Sequence, residues 1–277
     1  MLNPKRLLAW GTTALLLALT AGCTVAPDET LPDSMPDGGT ADSVHLSFGN
    51  PSNAGEDDPE NYLMVKPQYA LSYNDSKRIA NWVSWQLSPD WIGEAERQDD
   101  FRPDETLPED FYQVTPRDYR QSGYDRGHLA PSADRTATEG DNSSTFVMTN
   151  MIPQAPDNNQ QTWRGLEDYS RDLVEEGNEL YIVAGSYGEQ KRIGSGQVVV
   201  PTNTWKVVVV LEPGSGIEDI TEETRVIAVD MPNQDGIDPD WETYVVSVDE
   251  IEAATGYDFL SAVPAEIQAV IESQVSR

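Results

Sequence analysis

His128 is one of only two histidines in 277 residues, and it follows Arg126 by two positions in a chain that carries 48 acids against 18 bases. A group that titrates near neutrality beside a fixed cation suits proton transfer at an anionic substrate. In an extended segment the two side chains project to the same side, since strand side chains alternate with period two. Further along, Asn159 stands at or just before the first turn of an amphipathic helix. On that helix Glu167 and Arg171, four apart, are neighbours on one flank of the apolar stripe. An amide oxygen ligates hard cations, and a carboxylate two turns later can hold the waters of such a cation. One base, one oxygen ligand, one acid and several arginines suit hydrolysis of a phosphodiester, with water deprotonated by the base and the leaving oxygen stabilised by metal. A histidine packed at the turn after Gly127, with Glu167 and Arg171 as a solvated salt bridge, satisfies the same spacing.

Composition narrows the alternatives. Cys23 is the single cysteine, so an internal disulfide, a cysteine-rich metal site and a C-x-x-C redox centre are all excluded. Two histidines and one cysteine leave little from which to build a nitrogen and sulfur zinc site. Walker, G-x-G-x-x-G and G-x-S-x-G motifs are absent, so any metal is a hard, magnesium-like cation held by oxygen. The formal net charge of −30 removes long-range attraction to phosphate and by itself argues against a nucleic-acid partner. Adaptation to high salt accounts for such a surface equally well, and it predicts solubility and activity that rise in molar salt. What positive charge exists is mostly arginine, the bidentate phosphate-matching type, and eight of the thirteen arginines fall between Arg97 and Arg171. That concentration points to a focused basic cleft.

The elements that must position these residues are legible in outline. Residues 1–23 read as an export signal: Lys5 and Arg6, an apolar run from Leu7 to Leu19 too short to span a membrane comfortably, then Leu19-Thr20-Ala21-Gly22-Cys23. The last five residues resemble the lipobox of bacterial lipoproteins. That resemblance implies cleavage before Cys23, lipidation on Cys23 and a membrane-anchored protein at the cell envelope or surface; an ordinary signal peptide or an uncleaved anchor is the alternative. Residues 24–60, rich in Pro, Asp, Gly and Ser, read as a disordered acidic tether, with His45 incidental or part of a docking strand. The folded domain is then 61–277. Strands are expected at Tyr69–Tyr73, at Ile79–Leu87 with one buried face, at Phe146–Asn150, and at 180–184, 197–200, 204–211, 225–231 and 244–248. Helices are expected from Asn159 to Gly177, from Glu250 to Thr255 behind an Asp249 cap, and from Pro264 to about Val275. Strands and helices interleave without a βαβ repeat, which favours a mixed α+β domain.

Several motifs together carry a family resemblance. Asp125-Arg126-Gly127-His128, Thr149-Asn150-Met151-Ile152-Pro153-Gln154 and Asp157-Asn158-Asn159 closely resemble the DNA/RNA non-specific endonucleases. The similarity continues through Thr162-Trp163, Leu166-Glu167, Val200-Pro201-Thr202 and Val248-Asp249-Glu250-Ile251-Glu252, so it covers roughly residues 60 to 265. It implies a mainly antiparallel sheet with packed helices and a ββα-metal motif, and DNA and RNA as substrates. It also implies His128 as general base, Asn159 as sole direct protein ligand of a hydrated Mg2+ (or Mn2+ in its place), and Glu167 holding that ion's waters. Arg126, Arg171 and Arg97 would surround the scissile phosphate, and Asn150 would position the histidine. A lipoprotein that binds nucleic acid or protein without turnover is the rival from another class, and a carboxylate-pair glycosidase leaves the histidine and asparagine motifs unexplained.

Overall fold

The computed structural model describes residues 43–276. The signal segment with Cys23, and residues 24–42 of the expected tether, lie outside the described residues. The strands in chain order are β1 (Tyr62–Val65), β2 (Ala70–Asn74), β3 (Ile79–Leu87), β4 (Asp125–His128), β5 (Met151–Gln154), β6 (Glu179–Tyr187), β7 (Lys191–Ile193), β8 (Val198–Val200), β9 (Asn203–Leu211), β10 (Arg225–Pro232) and β11 (Val245–Val246). The helices are α1 (Glu139–Ser144), α2 (Arg164–Glu175), α3 (Val248–Thr255) and α4 (Ala265–Ile271). Seven strands form one sheet in the order β1-β2-β3-β6-β9-β10-β11, every neighbour antiparallel. The α+β class and the antiparallel sheet expected from sequence are both present.

This sheet is buried on both faces, which corrects the expectation of one buried face for Ile79–Leu87. Along β3, Trp82 packs on one side with Phe48, Trp205, Ile251 and Phe259, while Val83, Trp85 and Leu87 pack on the other with Leu129, Met151 and Leu166. The same alternation runs through β9, where Trp205, Val207 and Val209 face α3 and the C-terminal segment. Lys206 and Val208 therefore face α2 and the β4–β5 pair, and Lys206 is only 1% exposed. A lysine has been threaded into the core side facing the β4–β5 pair.

The tether ends earlier than composition suggested. Val44–Leu46 forms a 3-10 turn, Phe48 is buried, and His45 is only 4% exposed. His45 Nε2 donates to the Pro67 carbonyl at 2.9 Å and Nδ1 accepts the Gln86 amide at 3.2 Å. Residues 43–60 dock on β1 and β3 because a few apolar anchors and satisfied polar groups suffice, which an averaged composition cannot register. The packed body thus begins near residue 43, not 61, and His45 is structural.

Other corrections are local. Phe146–Asn150 is not a strand: Met148–Asn150 makes a 3-10 turn and the strand comes after it, at β5. The strand at 197–200 pairs with β7 in a separate hairpin and takes no place in the main sheet. Ser247, not Asp249, caps α3, accepting the Glu250 amide. The helix after Asn159 does stop where expected, with Gly177 at φ +99° just beyond it.

Candidate active site

The site is built on a β-hairpin followed by a helix. β4 and β5 pair antiparallel with Asp125 opposite Gln154 and His128 opposite Met151. Gly127 is required there, since a Cβ on it would lie 2.0 Å from Gln154 Oε1. Gln154 in turn donates to Asn158 Oδ1, and Asn158 Nδ2 donates to the Pro232 carbonyl at 3.0 Å, tying hairpin and helix start to the main sheet. Asn150 lies behind the hairpin, fully buried and away from the cleft. Its Oδ1 accepts the Ala130 amide at 3.0 Å, and its Nδ2 donates to the carbonyls of Ala130 and Thr145 at 2.8 and 2.9 Å. It fixes the chain just past His128 and touches nothing in the cleft.

His128 is 9% exposed, set edge-on to Phe146 with ring centres 4.9 Å apart, and among the described residues its buried Nε2 has no hydrogen-bond partner. Burial, then the cations Arg97 and Arg126, lower its pKa to about 3. The imidazole is therefore neutral at physiological pH, with a free nitrogen.

Asn159 and Glu167 come from the helical segment after β5. Residues Asn158–Trp163 form a π-helical turn, and α2 continues from it. Asn159 and Glu167 both reach the cleft, while Trp163 between them is buried at 1% exposure. Asn159 Nδ2 donates to Asp125 Oδ2 at 2.9 Å, and the same oxygen accepts Gln160 Nε2 at 2.8 Å. The amide is thereby oriented with its carbonyl oxygen left over, and among the described residues that oxygen has no donor. Glu167 Oε1 lies 3.9 Å from Lys206 Nζ, which sits 4.2 Å over the Trp163 ring and 5.7 Å from that of Trp85. Burial raises the Glu167 carboxyl above the ordinary range against the pull of Lys206, and burial lowers the Lys206 ammonium.

The arginines are held by different means. Arg126 is exposed, has no carboxylate partner among the described residues, and lies 3.9 Å over the Phe101 ring. Arg97 donates to Ser132 Oγ at 2.7 Å, pairs with Asp99 and lies 4.8 Å over Phe146. Arg171 pairs with Asp134 at 2.8 Å and also with Asp168, and Asp134 accepts Trp85 Nε1 at 3.0 Å. Arg164 joins these three on the cleft wall. The expected basic cleft is thus made by four arginines, not eight. Arg135 is wholly buried on the carbonyls of Gln68, Gln86 and Asp134, while Arg102, Arg117 and Arg120 lie elsewhere.

One cleft of about 660 Å³ gathers Arg97, Arg126, His128, Asn159, Glu167 and Arg171, six of the seven residues singled out from sequence for catalysis or metal, with Asn150 beneath. Its donor set fits a hard, largely hydrated cation: one oriented amide oxygen and the Glu167 carboxylate, the second carboxylate, Asp168, being paired with Arg164 and Arg171. Three supporting residues escaped sequence reading: Asp125, Asp134 and Lys206. Asp125 lay inside the quoted motif without a role. Lys206 was visible as the one cation in a run of valines, and nothing in the sequence marked Asp134.

The chain is similar to known nucleases. Residues 47–266 match the family model described as DNA/RNA non-specific endonuclease. A protein named "Nuclease" from Nostoc sp. is 58% identical over 95% of this chain and 96% of its own length. Human mitochondrial endonuclease G is 33% identical over 72% of this chain and 69% of its own. A crystal structure of an EndoG/EndoGI complex superposes with a TM-score of 0.68 at 26% identity, covering 80% of this chain and 92% of that one.

Proposed function

Because the chain belongs to the DNA/RNA non-specific endonuclease family, we propose that it cleaves DNA and RNA internally with His128 as general base and Mg2+ as the working cation, for which Mn2+ can substitute. The observation that carries this reading is the convergence of neutral His128, the Asp125-oriented amide of Asn159 and Glu167 in one arginine-lined cleft. Asn159 Oδ1 would hold the cation directly and Glu167 would hold its waters. When bound, the cation offsets charge developing on the phosphate and leaving oxygen.

The chain's own residues supply the rest. Arg126, presented on Phe101, and Arg97, presented on Phe146, receive the scissile phosphate. These two cations add to the depression that burial imposes on His128, so an anion bound between them relieves their share and makes the imidazole a stronger base when substrate is present. His128 then takes a proton from the attacking water. Arg171, fixed by Asp134, stabilises the added charge in the transition state. Asn150 acts only by holding the chain at Ala130.

We further read Cys23 as the lipidation site of an exported protein anchored to a membrane at the cell envelope or cell surface, with residues after Cys23 spacing the nuclease from it. The lipobox-like Leu19-Thr20-Ala21-Gly22-Cys23 supports this. Palmitate labelling lost in Cys23→Ala, with release of the protein from membranes, is the expected result; an unlabelled wild-type chain would refute it.

The deciding experiment is plasmid and RNA digestion with Mg2+ and with chelator, comparing wild type, His128→Ala and Asn159→Ala. Digestion by wild type with Mg2+ alone, abolished in both variants, is expected. Wild-type-like turnover by His128→Ala would overturn the base assignment, and unchanged Mg2+ dependence in Asn159→Ala would overturn the ligand.

A further inference from the structure

The eight ion pairs among the described residues engage seven bases, although acids outnumber bases heavily throughout. Eight described bases stand outside those pairs. Arg126 lies in the cleft, Arg135 is buried on backbone carbonyls, and Arg225 donates to the Tyr169 hydroxyl at 2.7 Å. The other five, Lys77, Arg78, Arg117, Arg120 and Lys191, fall on three segments that touch one another.

The β2–β3 turn, the stretch Tyr112–Tyr124 and the β7–β8 hairpin make this surface. The Val199 amide donates to the Lys77 carbonyl at 3.0 Å, joining hairpin to turn. Arg78 lies 4.1 Å over the Tyr112 ring, whose hydroxyl donates to Asp118 at 3.1 Å. A Cβ on Gly194, at the hairpin bend, would lie 2.7 Å from the Asp118 side chain. Lys191 sits 4.7 Å over the Tyr124 ring, immediately before Asp125 and Arg126. The nearby acids are turned to other uses. Asp75 accepts the Tyr112 amide, Asp118 accepts the Thr115 amide and hydroxyl, and Glu189 holds Arg192. Arg117, Arg120 and Lys191 are exposed.

Five cations without carboxylates, in a chain where carboxylates are everywhere, mark a place where another anion is expected. We propose that this surface is a second binding track, running from Arg126 past Tyr124 over the β7–β8 hairpin, that holds the sugar–phosphate backbone of a polynucleotide beyond the catalytic cleft. It rests on the nuclease reading and names how the same site engages long substrates. Arg78, Lys191 and Arg126, braced on aromatic rings, lose little side-chain freedom when a phosphate arrives, and contacts to the backbone alone are sequence-tolerant. It also answers the charge problem, since a chain repelling polyanions at long range needs contacts on both sides of the scissile bond.

The test uses the full chain with Lys77, Arg117, Arg120 and Lys191 all changed to Gln, none of them in the cleft. Dissociation constants are read by anisotropy in chelator for a labelled 20-nucleotide DNA strand and a labelled trinucleotide, across salt concentrations. The expected result is roughly tenfold weaker binding of the 20-mer, with the slope of log Kd against log salt smaller by about two to three, and an unchanged trinucleotide. Equal losses on both probes, or an unchanged 20-mer, would overturn the track. Should the quadruple variant unfold early, Arg117→Gln with Arg120→Gln alone is expected to give about half the loss in log Kd, and no loss there overturns the track as well. Because binding is read without turnover, a wild type that binds the 20-mer through these residues but cuts nothing with Mg2+ would refute the nuclease reading and leave the track standing.

Discussion

Lys206 Nζ lies 3.9 Å from Glu167 Oε1 beneath the cleft floor, the lysine sealed between two tryptophan rings and the carboxylate open to the site. The pair places a positive charge behind the Glu167 carboxylate in the cleft wall. A buried ammonium is unfavourable by itself, so its presence on β9 is matched to the carboxylate it faces, Glu167.

Replacing Lys206 with Met keeps the volume and removes the charge. Glu167 then loses its anchor and the pull toward its ionised form, and the concentration of Mg2+ giving half-maximal digestion should rise about 10- to 100-fold, as for other residues that orient metal-site groups. A metal titration of digestion measures this. An unchanged midpoint with intact fold would show that Glu167 is held by other means.

Asp125→Ala removes the acceptor that Asn159 and Gln160 share. The amide is then free to flip, and weaker Mg2+ binding of about 10- to 100-fold is expected with little change in thermal stability. Calorimetric Mg2+ titration of the variant reads it; wild-type affinity would disconnect Asp125 from the metal site.

His45 is buried with its pKa lowered to about 4, chiefly by burial. A histidine that is harder to protonate folded than unfolded contributes stability above its unfolded pKa near 6.5, lost as pH falls toward the folded value. The stability gap between wild type and His45→Gln should therefore be flat above about pH 6.5 and shrink by about 3 kcal/mol on going down to pH 4. Urea midpoints at a series of pH values test this, and a pH-independent gap contradicts it.

Glu272 shows the opposite sign. Its pKa is raised to about 8, first by burial and then by Glu252. The protonated form is favoured in the fold, so its stabilisation is complete below the unfolded carboxylate pKa and lost as pH rises through about 8. Glu272→Gln should accordingly gain thermal stability relative to wild type most clearly above pH 8, seen as a melting-temperature difference that grows with pH.

The sequence was readable where the signal is local. Strand β3 falls on its alternating Trp82, Ser84 and Gln86, and α2 on its apolar stripe and closing Gly177. His128, Asn159 and Glu167 could be named because each carries a chemistry its neighbours do not. What escaped lies in pairings across distance: Asp125 with Asn159, Asp134 with Arg171, Lys206 with Glu167. No periodicity reports such partners. The strand expected at Phe146–Asn150 failed because Asn150 spends its side chain on Ala130 and Thr145, which bends the backbone there into a turn. The count of arginines overstated the cleft for a related reason: proximity in sequence does not fix where a side chain goes, and Arg135 lies in the core while Arg117 and Arg120 lie on another surface.

Strands β3 and β6 are neighbours in the sheet, Trp82 opposite Gly185, yet the whole β4–β5–α2 unit lies between them in the chain. The catalytic motif is thus an excursion whose two ends are brought together only when that seam closes, a long-range loop closure that is slow to form. Refolding should recover the sheet's signal before or together with digestion of nucleic acid, never after it. The excursion can also loosen locally while the seam stays zipped, so heat or denaturant should silence the enzyme before the body of the protein melts.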